Sequence, residues 1–156
     1  MSESPLSGLV DQCRAGLDAE ISILHRLQWV SARQHEATDA LDLDALGLAA
    51  DERDRLMAAL VNIEGPLRNM RTTLSESRDQ AKALAGYQEA VDLHSQALAL
   101  VSSILETDEE SVESLAKAEL VRRDAARAIE QGETTLAAYR RVMTAPPGAT
   151  LVDRLG

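Results

Sequence analysis

Aromatic residues are almost missing from this chain: one Trp, two Tyr and no Phe among 156 residues. A core has to come instead from leucine, alanine and valine, and the 45% apolar content supplies enough of them for one self-sufficient domain. Cysteine is present once, at Cys13, which excludes an internal disulfide framework and fits a reducing compartment. Basic residues are outnumbered, 16 against 26 acidic ones, for a formal charge of −10. Such a chain repels phosphate backbones and anionic lipid, so nucleic acid and membrane surfaces are poor partners. No apolar run reaches the length needed to cross a bilayer. The opening segment MSESPLSGLVDQCRAGLDAE lacks a basic stretch followed by an apolar one, so it does not read as a secretion signal.

Catalytic patterns are absent too. There is no Gly-rich phosphate loop, no GxSxG and no HExxH. Glu20 and His25, like Glu89 and His94, are five apart, a spacing that leaves one helix face. An enzyme is not expected, nor a metal or other cofactor.

What is present is heptad order. From Asp42 to Ser75, Leu56, Leu60, Ile63, Leu67, Met70 and Leu74 recur at alternating steps of four and three, and the same count backwards meets Arg53, Ala49 and Leu46. That repeat puts one apolar stripe on a helix whose other faces stay in water. Pro66 falls inside the repeat without shifting its phase, so a single helix, kinked there, is expected rather than two. A preceding helix starts at Ser4-Pro5, with proline at the first helical position, and runs to about Ala40. Its stripe is Leu6, Val10, Cys13, Leu17, Ile21, Leu24 and Gln28. It turns polar at Gln28, Ser31 and His35, which predicts a less buried far end. Asp39 or Asp42 caps the next helix.

A turn is expected near Ser75–Asp79, although the phase also permits fusion with the next run, Leu84, Tyr87, Val91, His94, Leu98, Val101 and Leu105. The acidic stretch Glu106–Glu110 predicts another turn, with Thr107 or Asp108 capping a fourth helix from about Glu109 to Met143. The seam of that helix is thin: Leu115, Ala118, Arg122, Ala125, Ile129, Gly132, Leu136, Tyr139 and Met143. Small residues bury little area, so this helix is expected to be held most weakly and to open first, exposing Leu115, Ile129, Leu136 and Tyr139. Pro146-Pro147-Gly148 ends it, leaving a short apolar segment with Leu151, Val152 and Leu155. The expected architecture is an all-α antiparallel bundle of three to four long helices with coiled-coil-like packing. Residues 1–143 make one domain and 144–156 a flexible C-terminal tail.

Three single residues have competing readings. His94 lies on a seam and reads as a hydrogen-bonded core histidine rather than a metal ligand. Cys13 reads as a small buried hydrophobe rather than a nucleophile. Trp29, one position off the first stripe, either covers the bundle's flank or anchors a partner.

The segments RQHEATDALDLDALGLAADERDRLMAALVNIEGPLRNMR and ILETDEESVESLAKAELVRRDAARAIEQGETTLAAYRR, the latter followed by a proline linker and LVDRLG, resemble the FlgN family of flagellar export chaperones. The likeness covers most of the chain and lies in leucine-and-charge patterns. It implies a cytoplasmic, non-enzymatic protein that binds C-terminal helical segments of hook–filament junction proteins and keeps them unassembled until export. Leu115, Ile129, Leu136 and Tyr139 are then the cargo-binding candidates. Tyr139, Leu151, Val152 and Leu155 are candidates for docking at the flagellar export gate, the alternative being a tail that folds back to cap the end of the bundle. The rival reading is a coiled-coil structural or adaptor protein that self-associates, with a homodimer as its simplest form. A bundle holding a metal or cofactor in its core is a weaker third.

Overall fold

Helix is the only regular structure in the computed structural model, which describes residues 4–144, with side chains as far as Met143. The candidates Leu151, Val152 and Leu155 lie outside the described residues. Four helices follow one another: α1 Pro5–Ala40, α2 Leu43–Glu76, the single turn α3 Arg78–Ala81, and α4 Tyr87–Thr144. The all-α bundle of long helices is as expected. The chain divides into two compact units, the first ending at Ser114 and the second beginning at Leu115.

Local chemistry explains most of the boundaries. Pro5 opens α1, where a missing N–H costs nothing, although the Ser4 side chain makes no capping bond. Leu41 closes the helix in the left-handed conformation, φ 53°, and Asp42 caps α2 by accepting from Ala45 N at 3.1 Å. Pro66 is carried inside a continuous α2, as its in-phase position predicted. The break after α2 falls at Ser77 and again at residues 82–86. It ends at Gly86, whose φ of +84° suits glycine alone and whose Cβ would meet Arg14 Nη1 at 2.8 Å.

The expected turn at Glu106–Glu110 is not there. The two runs that the sequence reading separated are one 58-residue helix. The acidic stretch contains no glycine or proline, and Asp108 finds a partner across the bundle instead of capping a helix. Its carboxylate takes a forked pair from Arg53, at 2.9 and 2.5 Å, and a hydrogen bond from Ser31. Burial works to raise the Asp108 carboxyl, but the Arg53 and Ser31 hydrogen bonds outweigh it and hold the group low. A charged residue on the α2 seam, Arg53, is accounted for by the same layer.

Within the first unit, α1 and α4 contribute buried residues to both core clusters. One cluster joins Val10, Cys13 and Leu17 to Leu67, Leu74, Ala81 and Ala90; the other joins Leu24 and Leu27 to Ala97 and Ile104. Cross-helix bonds give the directions. Arg14–Glu89, Gln28–Ser103, Ser31–Asp108 and His35–Ser111 are separated by a nearly constant 75, 75, 77 and 76 residues, so α1 and α4 run parallel. Separation shrinks along α1 for its pairs with α2, from Arg26–Glu52 at 26 to Gln34–Arg53 at 19, which makes those two antiparallel. Gly16 allows the close approach of α1 and α2, since a Cβ there would sit 2.7 Å from the fully buried Leu67.

The far end of α1 is not less buried, contrary to its polar reading. Ser31 is 0% exposed and Thr38 3%: Arg53 on α2 and Asp108 on α4 meet the Ser31 hydroxyl, and Thr38 turns its own back to donate to the Gln34 carbonyl of α1. On α4 the sequence chose a neighbouring stripe. Ala90, Ala97 and Ile104 face the core, while Val91, Leu98 and Leu105, one residue later each time, are exposed. Alanine permits helices to approach where larger side chains would hold them apart, so at 90 and 97 the smaller residue takes the core position, and Ile104 follows in the same register.

Candidate functional site: a polar-centred groove and an exposed heptad row

Two surfaces follow from this packing. The first lies in the first unit, over α1 and between α2 and α4, where two hollows of about 290 and 220 Å³ share Arg71 and His94 in their linings. The Cys13 and Leu17 side chains line one, Glu20 and Leu24 the other. The walls include Leu74 and Leu60 from α2 and Val91, Leu98 and Val101 from α4. Those three α4 residues are 40, 57 and 37% exposed. Together they leave an apolar row open along a groove whose middle is polar.

That middle is built from Glu20, Glu64, Arg71 and His94. Glu20 is only 7% exposed, and its Oε2 has no hydrogen-bond partner among the described residues. Burial first, then the hydrogen bond and charge of Glu64, push its carboxyl up to about 7, so it keeps its proton over most of the acid range. For Glu64, burial works upward but is outweighed by hydrogen bonds from Arg71 and Glu20, which hold it low. Arg71 pairs with Glu64 through Nη2, leaving Nη1 unpartnered, and His94 Nδ1 is unpartnered as well. His94 is therefore half-buried in a groove wall, not the hydrogen-bonded core residue expected at that nitrogen. Cys13 is the small buried residue anticipated: burial raises its thiol, with Arg71 opposing and Glu20 adding to the effect.

The second surface is the helical segment of the second unit. None of its residues from 115 to 143 is buried. The cargo-binding candidates Leu115, Ile129, Leu136 and Tyr139 are 47, 63, 60 and 63% exposed, so no opening step is needed to present them. They share one helix and one heptad row, together with Arg122, whose guanidinium makes a forked pair with Glu119 at 2.9 and 2.8 Å.

Trp29 lies elsewhere, against the α1–α2 flank beside Ala45, Leu48 and Ala49. Arg26 and Arg33 stand 4.1 and 4.7 Å from its ring centroid, two cations over the ring of a side chain still 44% exposed. Among the described residues, no cluster of three His, Cys, Asp or Glu side chains is placed to hold a metal ion. No helix there is long and apolar enough to cross a membrane.

Glu20, Glu64 and Arg71 did not emerge from the sequence reading, which ran the α1 stripe through Ile21. The signal was available: Glu20 stands three after Leu17 and four before Leu24, a charged residue in an otherwise apolar seam. Comparison with family models, curated proteins and solved structures gives no match to the chain.

Proposed function

We propose that this chain is a helix-binding chaperone of the flagellar export type. Its clients are the C-terminal helical segments of hook–filament junction proteins, which it keeps from premature assembly in the cytoplasm and delivers to the export gate. The observation that carries the reading is the row Leu115, Ile129, Leu136 and Tyr139, apolar, at heptad spacing and exposed along a helical segment, 115–143, with no buried residue. An amphipathic client helix with anchors at i, i+3, i+4 and i+7 covers such a row, and the ordering cost of a disordered client keeps affinity low enough for release. The identity of the client comes from the resemblance of the chain to FlgN-like chaperones. Delivery rests on the same resemblance and on the apolar residues Leu151, Val152 and Leu155 near the C-terminus, with Tyr139 beside them in sequence.

Titration calorimetry with junction-protein C-terminal segments tests the client reading. Ile129→Asp and Leu136→Asp are each expected to weaken binding at least tenfold while circular dichroism of the chaperone stays unchanged. Equal affinity in both variants would remove this surface from the client site. Deleting residues 144–156 is expected to spare client affinity and lower junction-protein export in cells; normal export sinks the gate-docking role.

A further inference from the structure

We propose that the groove between α2 and α4 is a self-association site, filled by the helical segment 115–129 of a second copy of this chain, with Arg122 meeting Glu20 at its centre. The inference does not depend on what the client is. It starts from the groove, which has a polar layer where a closed bundle has an apolar one. Three unpartnered polar atoms gather there: Glu20 Oε2, Arg71 Nη1 and His94 Nδ1. Glu20 is 93% buried by its 7% exposure, so water does not readily take the missing partner's place. A fourth helix docking over α1 would close the apolar walls, and a basic group at its mid-length would give Glu20 Oε2 a partner and favour the ionised form of that carboxyl.

The chain carries such a helix. In its row, Leu115, Ala118, Ala125 and Ile129 are apolar and Arg122 is the one charged member. Arg122 stands seven residues from Leu115 and seven from Ile129. On the groove side His94 stands seven from Tyr87 and seven from Val101, and Glu20 seven from Cys13 and seven from Leu27. Each span is about 21 Å of helix. Apolar, polar and apolar layers thus fall at matching heights, and the charges are of opposite sign. Releasing Arg122 from Glu119 costs little. The pair is exposed, 68 and 44% on the two side chains, and Glu119 keeps Arg123 at 3.2 Å. Leu115 and Ile129 would meet walls formed by Val91, Leu98 and Val101, all open in the single chain. Reciprocal exchange of the segments closes a dimer, with each groove completed by a residue of the other copy.

The test uses the full chain. Sedimentation from 1 to 100 µM is expected to give a concentration-dependent dimer. Arg122→Glu and the exposed wall variant Leu98→Asp are each expected to weaken it at least tenfold, with helix content unchanged. A photo-crosslinking residue at position 98, in a mixture of ¹⁵N-labelled and unlabelled protein, is expected to give mixed-isotope links to residues 115–129. A monomer at 100 µM overturns the proposal, as does self-association indifferent to both substitutions. Links found only within one isotopic copy mean that the chain's own segment occupies the groove and also refute it. Dimerisation unaffected by either variant, alongside client binding lost in Leu136→Asp, separates failure here from failure of the client reading, because Leu136 lies beyond the docking segment.

Discussion

Glu20 shows how one buried carboxyl couples the groove to pH. Its folded-state value, about 7, lies above the ordinary 4.5, so the folded chain holds this proton more tightly than the unfolded one. The favourable contribution is complete below pH 4.5 and is lost as pH rises through about 7, the reverse of a salt-bridged carboxylate. Replacing it with glutamine keeps the shape and removes the ionisation. In dilute protein, where no second copy brings Arg122 to it, Glu20→Gln is therefore expected to stabilise the chain by about 1–3 kcal/mol at pH 8 and to change nothing near pH 4.5. Urea melts of both proteins at the two pH values read this directly. A variant less stable than the parent at pH 8 would show that the Glu20 carboxylate is satisfied in the fold.

At the scale of elements, the length of α4 turns on the layer made by Arg53, Asp108, Ser31 and Gln34. The Arg53 and Asp108 side chains are 25 and 28% exposed, enough burial for the loss of one partner to strand the other. Asp108→Ala is expected to cost about 2–3 kcal/mol, somewhat less than a fully buried pair would, because water reaches part of the layer. Replacing both, Arg53→Met with Asp108→Leu, is expected to recover most of that loss. Chemical denaturation of Arg53→Met, Asp108→Leu and the double closes the cycle, and a double variant no better than Asp108→Leu alone would argue against a pairing role.

For the whole molecule, stability should be uneven between the two units. All of the buried residues described, from Val10 to Ile104, belong to the first unit. Truncation after Ser114 is accordingly expected to leave the melting temperature within about 5 °C of the full chain. Hydrogen exchange is expected to find amides of residues 115–143 exchanging first, at opening energies well below the global one. Slow exchange there in dilute protein, or a truncated chain that fails to fold, would mean that this segment is part of the core. Client and second copy compete for an overlapping row under the two proposals, so added client is expected to dissolve the dimer.

Helix type, the α2 stripe and the Asp42 cap were legible because each depends on neighbours within two turns. Leu56, Leu60, Ile63, Leu67, Met70 and Leu74 repeat in a register that no other helix has to ratify, and all are buried or half-buried. Leu115, Ile129, Leu136 and Tyr139 were likewise placed on one helical row by spacing alone. The sequence could not decide which of two adjacent stripes on α4 enters the core, since Ala90, Ala97 and Ile104 differ from Val91, Leu98 and Leu105 by a single residue of rotation. That choice depends on how near α1 can come, a distance set between helices. The same holds for Asp108, which looks like a cap until Arg53 arrives from 55 residues away, and for Glu20, which looks like surface until α2 and α4 enclose it. Local periodicity determines which residues can share a face; only tertiary packing determines which face is covered, because burial and charge pairing are properties of two surfaces at once.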